Sequence, residues 1–234
     1  MANEETINET LIPLKGMRGA IASHMMKSLS NSAQLTLHSQ ADISDLETAR
    51  QKYIREHDAK ITITDILIKA AAGQLKKHPG VNGWIDDKQI RLVNDVHIGL
   101  AVAIPGGLIV PVIRNAGGKE LLTLSGETKE LADKAKTGRL KPDECTGSTF
   151  TITNLGGMGV IWFTPVINSP EIAILGVGAA QTVPVFDSDS SQWKPRLMLP
   201  LSLTFNHCAV DGAPAGAFLR DLCGFLGQVS LEQL

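Results

Sequence analysis

At 234 residues the chain is long enough for one large domain or two small ones around a sizeable core. Its 22 Lys and Arg against 24 Asp and Glu leave a net charge of −2 with no strongly basic stretch, which excludes the electrostatic footprint of a nucleic-acid binder. Three cysteines, Cys145, Cys208 and Cys223, are odd in number and lack metal-ligand spacing, so neither a zinc site nor a complete disulfide framework is expected.

Met1 to Thr10 is acidic and polar, with no basic region ahead of an apolar core, so no secretory signal is read there. Residues 1–12 read as a polar tail or linker remnant and 13–234 as a single domain. Apolar residues at Met17, Ala20, Ile21, Met25 and Leu29 have helical spacing and predict a helix from Met17 to Leu29. Leu35 to Ile43 alternates as a strand. Ser44-Asp45-Leu46-Glu47 caps a helix to about His57, and Thr62-Ile63-Thr64-Asp65 starts a second one that ends before Pro79-Gly80. Strands follow around Trp84, over Ile90–Leu92, Val96–Ile104 and Leu108–Ile113. The apolar run Ile98 to Ile113 is broken by Pro105-Gly106-Gly107 and Pro111, too interrupted to span a membrane. Leu121 to Thr137 reads as a charged amphipathic helix, and Lys141 to Glu144 as a loop or short turn. Later strands are Thr149–Asn154, Ala173–Val177 and Leu197–Phe205, with loops at Gly156–Asn168 and Asp187–Lys194. A closing helix runs from Ala215 to about Leu226. Helices and strands mix throughout without a repeat, so the expectation is one α/β domain around a mixed sheet.

The chemistry centres on Leu201-Ser202-Leu203-Thr204-Phe205-Asn206-His207-Cys208-Ala209-Val210-Asp211-Gly212, where a histidine leaves an apolar strand and an Asp-Gly turn follows four residues on. A histidine titrates near neutrality and can take the proton of a thiol or alcohol. A His-x-x-x-Asp-Gly match arises by chance in roughly a few per cent of chains this long, so alone it is slightly better explained by a packed histidine. Thr149 to Asn154 ends in the glycine-rich Leu155-Gly156-Gly157-Met158-Gly159, whose donors suit a reacting group or simply a strand and turn. No phosphate-binding glycine motif is present. Asp133-Lys134-Ala135 repeats the tripeptide around a lipoylated lysine, but it lies within a helix and reads as a solvated face. His24, His38, His57, His78 and His97 have no partner that sequence can name.

Several segments together resemble the catalytic core of the dihydrolipoamide acyltransferases of 2-oxo acid, or acetoin, dehydrogenase complexes. These are Asn206 to Ala213, Phe150-Thr151-Ile152-Thr153-Asn154-Leu155-Gly156, Gly99 to Ala103 with Gly107 to Ile113, Phe163 to Asn168 with Pro170 to Gly176, and Pro13 to Met25. The resemblance covers about Pro13 to Leu226. It implies an α/β chloramphenicol acetyltransferase-like two-layer fold, a mixed sheet flanked by helices. It also implies acyl transfer, acetyl by the Asn154-Leu155-Gly156 form, between an S-acyl dihydrolipoyl group and coenzyme A, with no metal. By the same resemblance His207 is the general base, Thr153 rather than Thr151 the oxyanion donor, and Asp211 a site-ordering carboxylate paired with Arg18, with Gly212 and Asn154 in support. The lipoyl group would sit on a separate domain or protein. Expected partners are that domain and sister components of the complex, and the expected assembly is a homotrimer, extended to a cubic or dodecahedral core. An apolar end from Phe225 to Leu234 would suit such contacts. The location implied is cytoplasmic, or the mitochondrial matrix in a eukaryote. Departures are Asn206 and Cys208, where Asp and Arg are usual, and Gln34, where many members carry histidine. A non-catalytic core subunit and a stand-alone acetyltransferase of a small alcohol or amine are the alternatives.

Overall fold

The computed structural model describes residues 9–57, 60–86 and 88–228. In chain order the elements are α1 (Gly16–Ser30), β1 (Gln34–Asp42), α2 (Ser44–His57), α3 (Ile63–Lys77), β2 (Gly83–Ile85), β3 (Ile90–Leu92), β4 (Ile98–Leu100), β5 (Val102–Ile104), β6 (Gly107–Ile109) and β7 (Val112–Ile113). There follow α4 (Leu121–Lys136), β8 (Phe150–Asn154), β9 (Ala173–Val177), β10 (Gln181–Asp187), β11 (Gln192–Asn206) and α5 (Gly212–Gln228). The main sheet has the order β1-β11-β9-β8-β4-β7, with β10 paired to the first half of β11. Only β4–β8 and β8–β9 run parallel, so the sheet is mixed. The expected α/β fold is therefore present.

Strand periodicity gives the sheet two chemically different faces. Phe150 and Ile152 of β8, Leu175 of β9 and Leu201, Leu203 and Phe205 of β11 point one way and are all buried. Over this face α5 packs on β1 and β11 and meets α2 and α3, each large side chain contributing about 1.5–3 kcal/mol. Helix α3 starts on a capping box in which Thr62 and Asp65 bond each other's backbone N–H, satisfying donors that would otherwise be orphaned. The opposite face carries Thr36, His38, Thr151, Thr153, Ser202, Thr204 and Asn206. Cross-strand pairs bond there, Thr36 to Thr204 at 2.7 Å and His38 Nδ1 to Ser202 at 2.9 Å. Helix α1 and the loop between β8 and β9 cover this polar face, tied together by Ser28 Oγ donating to Ile167 O at 2.6 Å. Phe163 of that loop lies over Gly176, where a Cβ would come within 2.9 Å of the ring. Gly176 is thus the residue that lets the cover approach the sheet.

Three sequence expectations change. The single strand over Val96–Ile104 is two, because β4 joins the main sheet while β5 turns off into a hairpin with β6. The break falls at Ala101, whose N–H bonds Ile152 O at 2.9 Å. Asp187–Lys194 is not a loop but the tip of the β10–β11 hairpin, its turn closed by Asp187 accepting from Asp189 N and Ser190 N. Polar composition hid the hairpin, and Pro184 and Pro195 are tolerated because this end of the ribbon is a sheet edge. Finally, Leu226 is 1% exposed and Phe225 packs on the core, so neither offers an apolar surface; residues 229–234 lie outside the described ones. In the segment before α1, Leu11 and Ile12 are both well exposed.

Candidate active site

Asn206 ends β11, and His207 begins the turn that leads into α5. Alternation would send residue 207 toward the apolar core, but the strand stops and the turn carries the ring outward. The His207 side chain is 42% exposed, and its Nδ1 lies 3.7 Å from Asp211 Oδ1, longer than a hydrogen bond. Asp211 is itself 84% exposed, so the pair is a loose contact in water rather than a buried dyad. No side-chain hydrogen bond within the described residues orients the imidazole. Its main-chain anchor is His207 N donating to Ala33 O at 2.8 Å.

Thr153 lies on β8, partly buried on the polar face and two residues beyond Thr151. Register pairs it with Gly176, and Gly176 with Ser202, five residues before His207. Two strands across and five residues along amount to about 10 Å and about 16 Å, hence about 19 Å between the two residues. One chain therefore does not bring His207 and Thr153 together. Asn154 is exposed, where its side chain bonds Thr64 Oγ1 at 3.1 Å and accepts from Gly156 N at 2.8 Å, shaping the start of the glycine-rich loop. Gly212 is the first residue of α5 with open space around it, so no close approach demands glycine there.

The expected pairing of Arg18 with Asp211 is not formed within the chain. Arg18 Nη2 donates instead to Gly106 O at 3.0 Å, because α1 is docked on the β5–β6 hairpin. Lys134 is likewise not a free solvated lysine: it bridges Glu130 at 2.7 Å and Glu144 at 2.8 Å, tying α4 to the short helix at Pro142–Cys145. Those carboxylates hold its ammonium well above the usual lysine range.

A group that sequence reading missed lies under α1. Glu171 is 2% exposed, and its Oε1 accepts from Ser148 Oγ, Thr151 Oγ1 at 2.8 Å and Asn168 Nδ2 at 2.9 Å, while Oε2 has no partner among the described residues. Burial pushes its carboxyl up to about 7, against the pull of those hydrogen bonds. His24 extends the chain of contacts, bonding Asn168 Oδ1 at 3.1 Å. The only sequence signal was a glutamate set directly before the apolar run Ile172 to Val177. Two cavities meet at Glu171. One of about 430 Å³ is lined by Lys27, Asp86, Asn206 and Cys208; the other, about 820 Å³ and mostly apolar, runs between α1 and β6 past Ile21, Met25 and Leu108.

Comparison with known proteins converges on one family. The model for 2-oxoacid dehydrogenases acyltransferase (catalytic domain) matches residues 6–232. The chain is 44% identical over 219 residues to the dihydrolipoyllysine-residue acetyltransferase component of the acetoin cleaving system of Bacillus subtilis (strain 168), covering 92% of this chain and 54% of that protein. It spans between 34% and 54% of the length of the first curated relatives it matches. Among solved structures, the cubic core of a pyruvate dehydrogenase multienzyme complex superposes with a TM-score of 0.91 at 37% identity, covering 100% of this chain and 98% of that one. The dihydrolipoamide acetyltransferase of Azotobacter vinelandii does so with 0.90 at 37%, covering 97% and 94%. That enzyme's catalytic mechanism has been investigated at a serine, a histidine and an asparagine four residues after the histidine. Chloramphenicol acetyltransferase shares the fold, with a TM-score of 0.53 at 14% identity over 93% and 99% of the two chains. A match that runs through the strand before His207, the glycine-rich loop and the cover over the polar face leaves one assignment: the chain belongs to the 2-oxoacid dehydrogenase acyltransferases, as their catalytic domain.

Proposed function

We propose that this domain moves an acyl group, acetyl in the first place, between S-acyl dihydrolipoamide and coenzyme A. Both thiols are substrates, and the lipoyl arm is carried on a separate domain or protein. The observation that carries the reading is the exposed His207, held by its main chain at the end of β11 in a chain of this family. A thiol is mostly protonated near pH 7, so attack on a thioester requires a base. With Nδ1 turned toward Asp211, His207 Nε2 takes the thiol proton, the thiolate sulfur bonds the carbonyl carbon, and a tetrahedral oxyanion forms. Collapse expels the other sulfur, which recovers the proton from the imidazolium. The Thr153 hydroxyl donates to the oxyanion, a contribution of about 3–4 kcal/mol.

The about 19 Å between Thr153 and His207 in one chain supports a site at which the two meet across an interface. The assembly proposed is a homotrimer with a channel between neighbouring copies, built further into a cubic or dodecahedral core, with the lipoyl domain and sister components of a dehydrogenase complex as partners. The proposed location is the cytoplasm, or the mitochondrial matrix in a eukaryote. Asp211 stands at the same offset from His207 as the asparagine studied in the Azotobacter enzyme, which supports a reading in which the position does not need a charge. Asp211→Asn is accordingly expected to keep kcat/KM within about fivefold of the parent, as suits an exposed pair at 3.7 Å; a loss of about 100-fold would assign the carboxylate a direct role.

The deciding assay is coenzyme A-dependent transfer to and from free dihydrolipoamide, with acetyl, succinyl and isobutyryl donors compared and chloramphenicol as a rival acceptor. Acetyl transfer to dihydrolipoamide is the expected result. Transfer to chloramphenicol instead would favour a stand-alone acetyltransferase, and no transfer with any donor would leave a core-forming role.

A further inference from the structure

We propose that Asn206 is the positioning residue of the acyl-transfer site, a neutral clamp that aims His207. This rests on the reading of His207 as the base. Among the described residues the imidazole has no side-chain hydrogen bond to orient it, so the direction of its Cα–Cβ bond is set by the main chain. Asn206 governs that main chain. Its side chain is 2% exposed, and its Oδ1 accepts from Cys208 N at 3.0 Å, inside the turn, and from Ala33 N at 3.2 Å, in the segment between α1 and β1. Its own N–H bonds Ile172 O at 2.9 Å, and its carbonyl accepts from Ala209 N at 2.9 Å and Val210 N at 3.2 Å. One residue thus joins the strand end, the cover over the polar face and both limbs of the turn that carries His207.

The chemistry asks only for an acceptor. Both bonds to the Asn206 side chain run from backbone N–H groups to its oxygen, so an amide serves without a counter-ion, and the neighbouring Cys208 need not supply a charge. Removing the oxygen strands the Cys208 N–H within the turn and the Ala33 N–H ahead of β1 and lets the histidine drift, and a misplacement of about 1 Å costs catalysis about 100-fold. Asn206 is 2% exposed, so binding of coenzyme A and dihydrolipoamide is not expected to change with it.

The test compares Asn206→Ala, Asn206→Ser, Asn206→Asp, Asn82→Ala and His207→Ala in the assembled protein. Asn82 is equally buried and bonds Val93 O and Asp95 O through its amide, so its loss reports stability alone. Expected is a fall in kcat of about 10- to 100-fold for Asn206→Ala with KM within about twofold, an intermediate value for Asn206→Ser, and recovery to within about threefold for Asn206→Asp, which keeps the acceptor. Asn82→Ala should lower the melting temperature as much while keeping kcat. Equal losses in the alanine and aspartate variants, a comparable loss in Asn82→Ala, or an unchanged kcat in Asn206→Ala would each overturn the clamp. Activity surviving in His207→Ala would remove the base reading itself, an outcome distinct from a clamp that fails while His207→Ala is inactive.

Discussion

His207→Ala should lower coenzyme A-dependent acyl transfer by about 10²- to 10⁴-fold, the span that a positioned general base contributes. Its melting temperature should not move, because the ring is 42% exposed and its main-chain bond to Ala33 O survives the change. Thr153→Ala should cost about 10²- to 10³-fold through the oxyanion. The two variants then test the geometry together. If the site is built from His207 of one copy and Thr153 of its neighbour, chains of the two variants assembled in equal amounts regain about a quarter of the parent activity, since random assortment joins an intact His207 to an intact Thr153 at one interface in four. If both residues acted within one chain, the mixture would stay as inactive as its components. The about 19 Å that strand register puts between them makes the first result the expected one.

Glu171→Gln should stabilise the protein above neutral pH and do less below it. The carboxyl is buried and pushed up to about 7, so the folded state favours its protonated form. Stability from this group is fully present below its unfolded value near 4.5 and is lost as pH rises through about 7. Between pH 5 and pH 8 the loss comes to about 2–3 kcal/mol, equivalent to about 4–12 °C in melting temperature for a chain of this size. Glutamine keeps the Oε1 acceptor for Ser148, Thr151 and Asn168 and cannot ionise. Melting curves of both proteins across that pH range read the effect. Parent and variant falling in parallel would show that another group titrates.

Much of the fold is legible along the chain because its signals are local. The Thr62–Asp65 capping box, the apolar spacing of α1, the Pro105-Gly106 turn and the apolar strand that leads to His207 are local signals, and helix and strand form where they predict. The β10–β11 hairpin escaped because its turn is held by one aspartate within a run whose composition resembles any polar loop. The break at Ala101 escaped because it depends on which sheet each half of the segment joins.

For the site, the sequence by itself identified the chemical types: a histidine at a strand end, a threonine before a glycine-rich loop and a carboxylate four residues after the histidine. Tertiary structure alone decided their relations. It set His207, just past the end of β11, apart from Thr153 on β8, turned Arg18 toward Gly106 O rather than Asp211, and gave Asn206 and Glu171 their buried places. The reason is physical. Capping, turn and periodicity energies act between near neighbours in sequence, whereas register, burial and the raised carboxyl of Glu171 arise between segments up to 173 residues apart, as between Ala33 and Asn206, and exist only once the sheet has closed over its polar face.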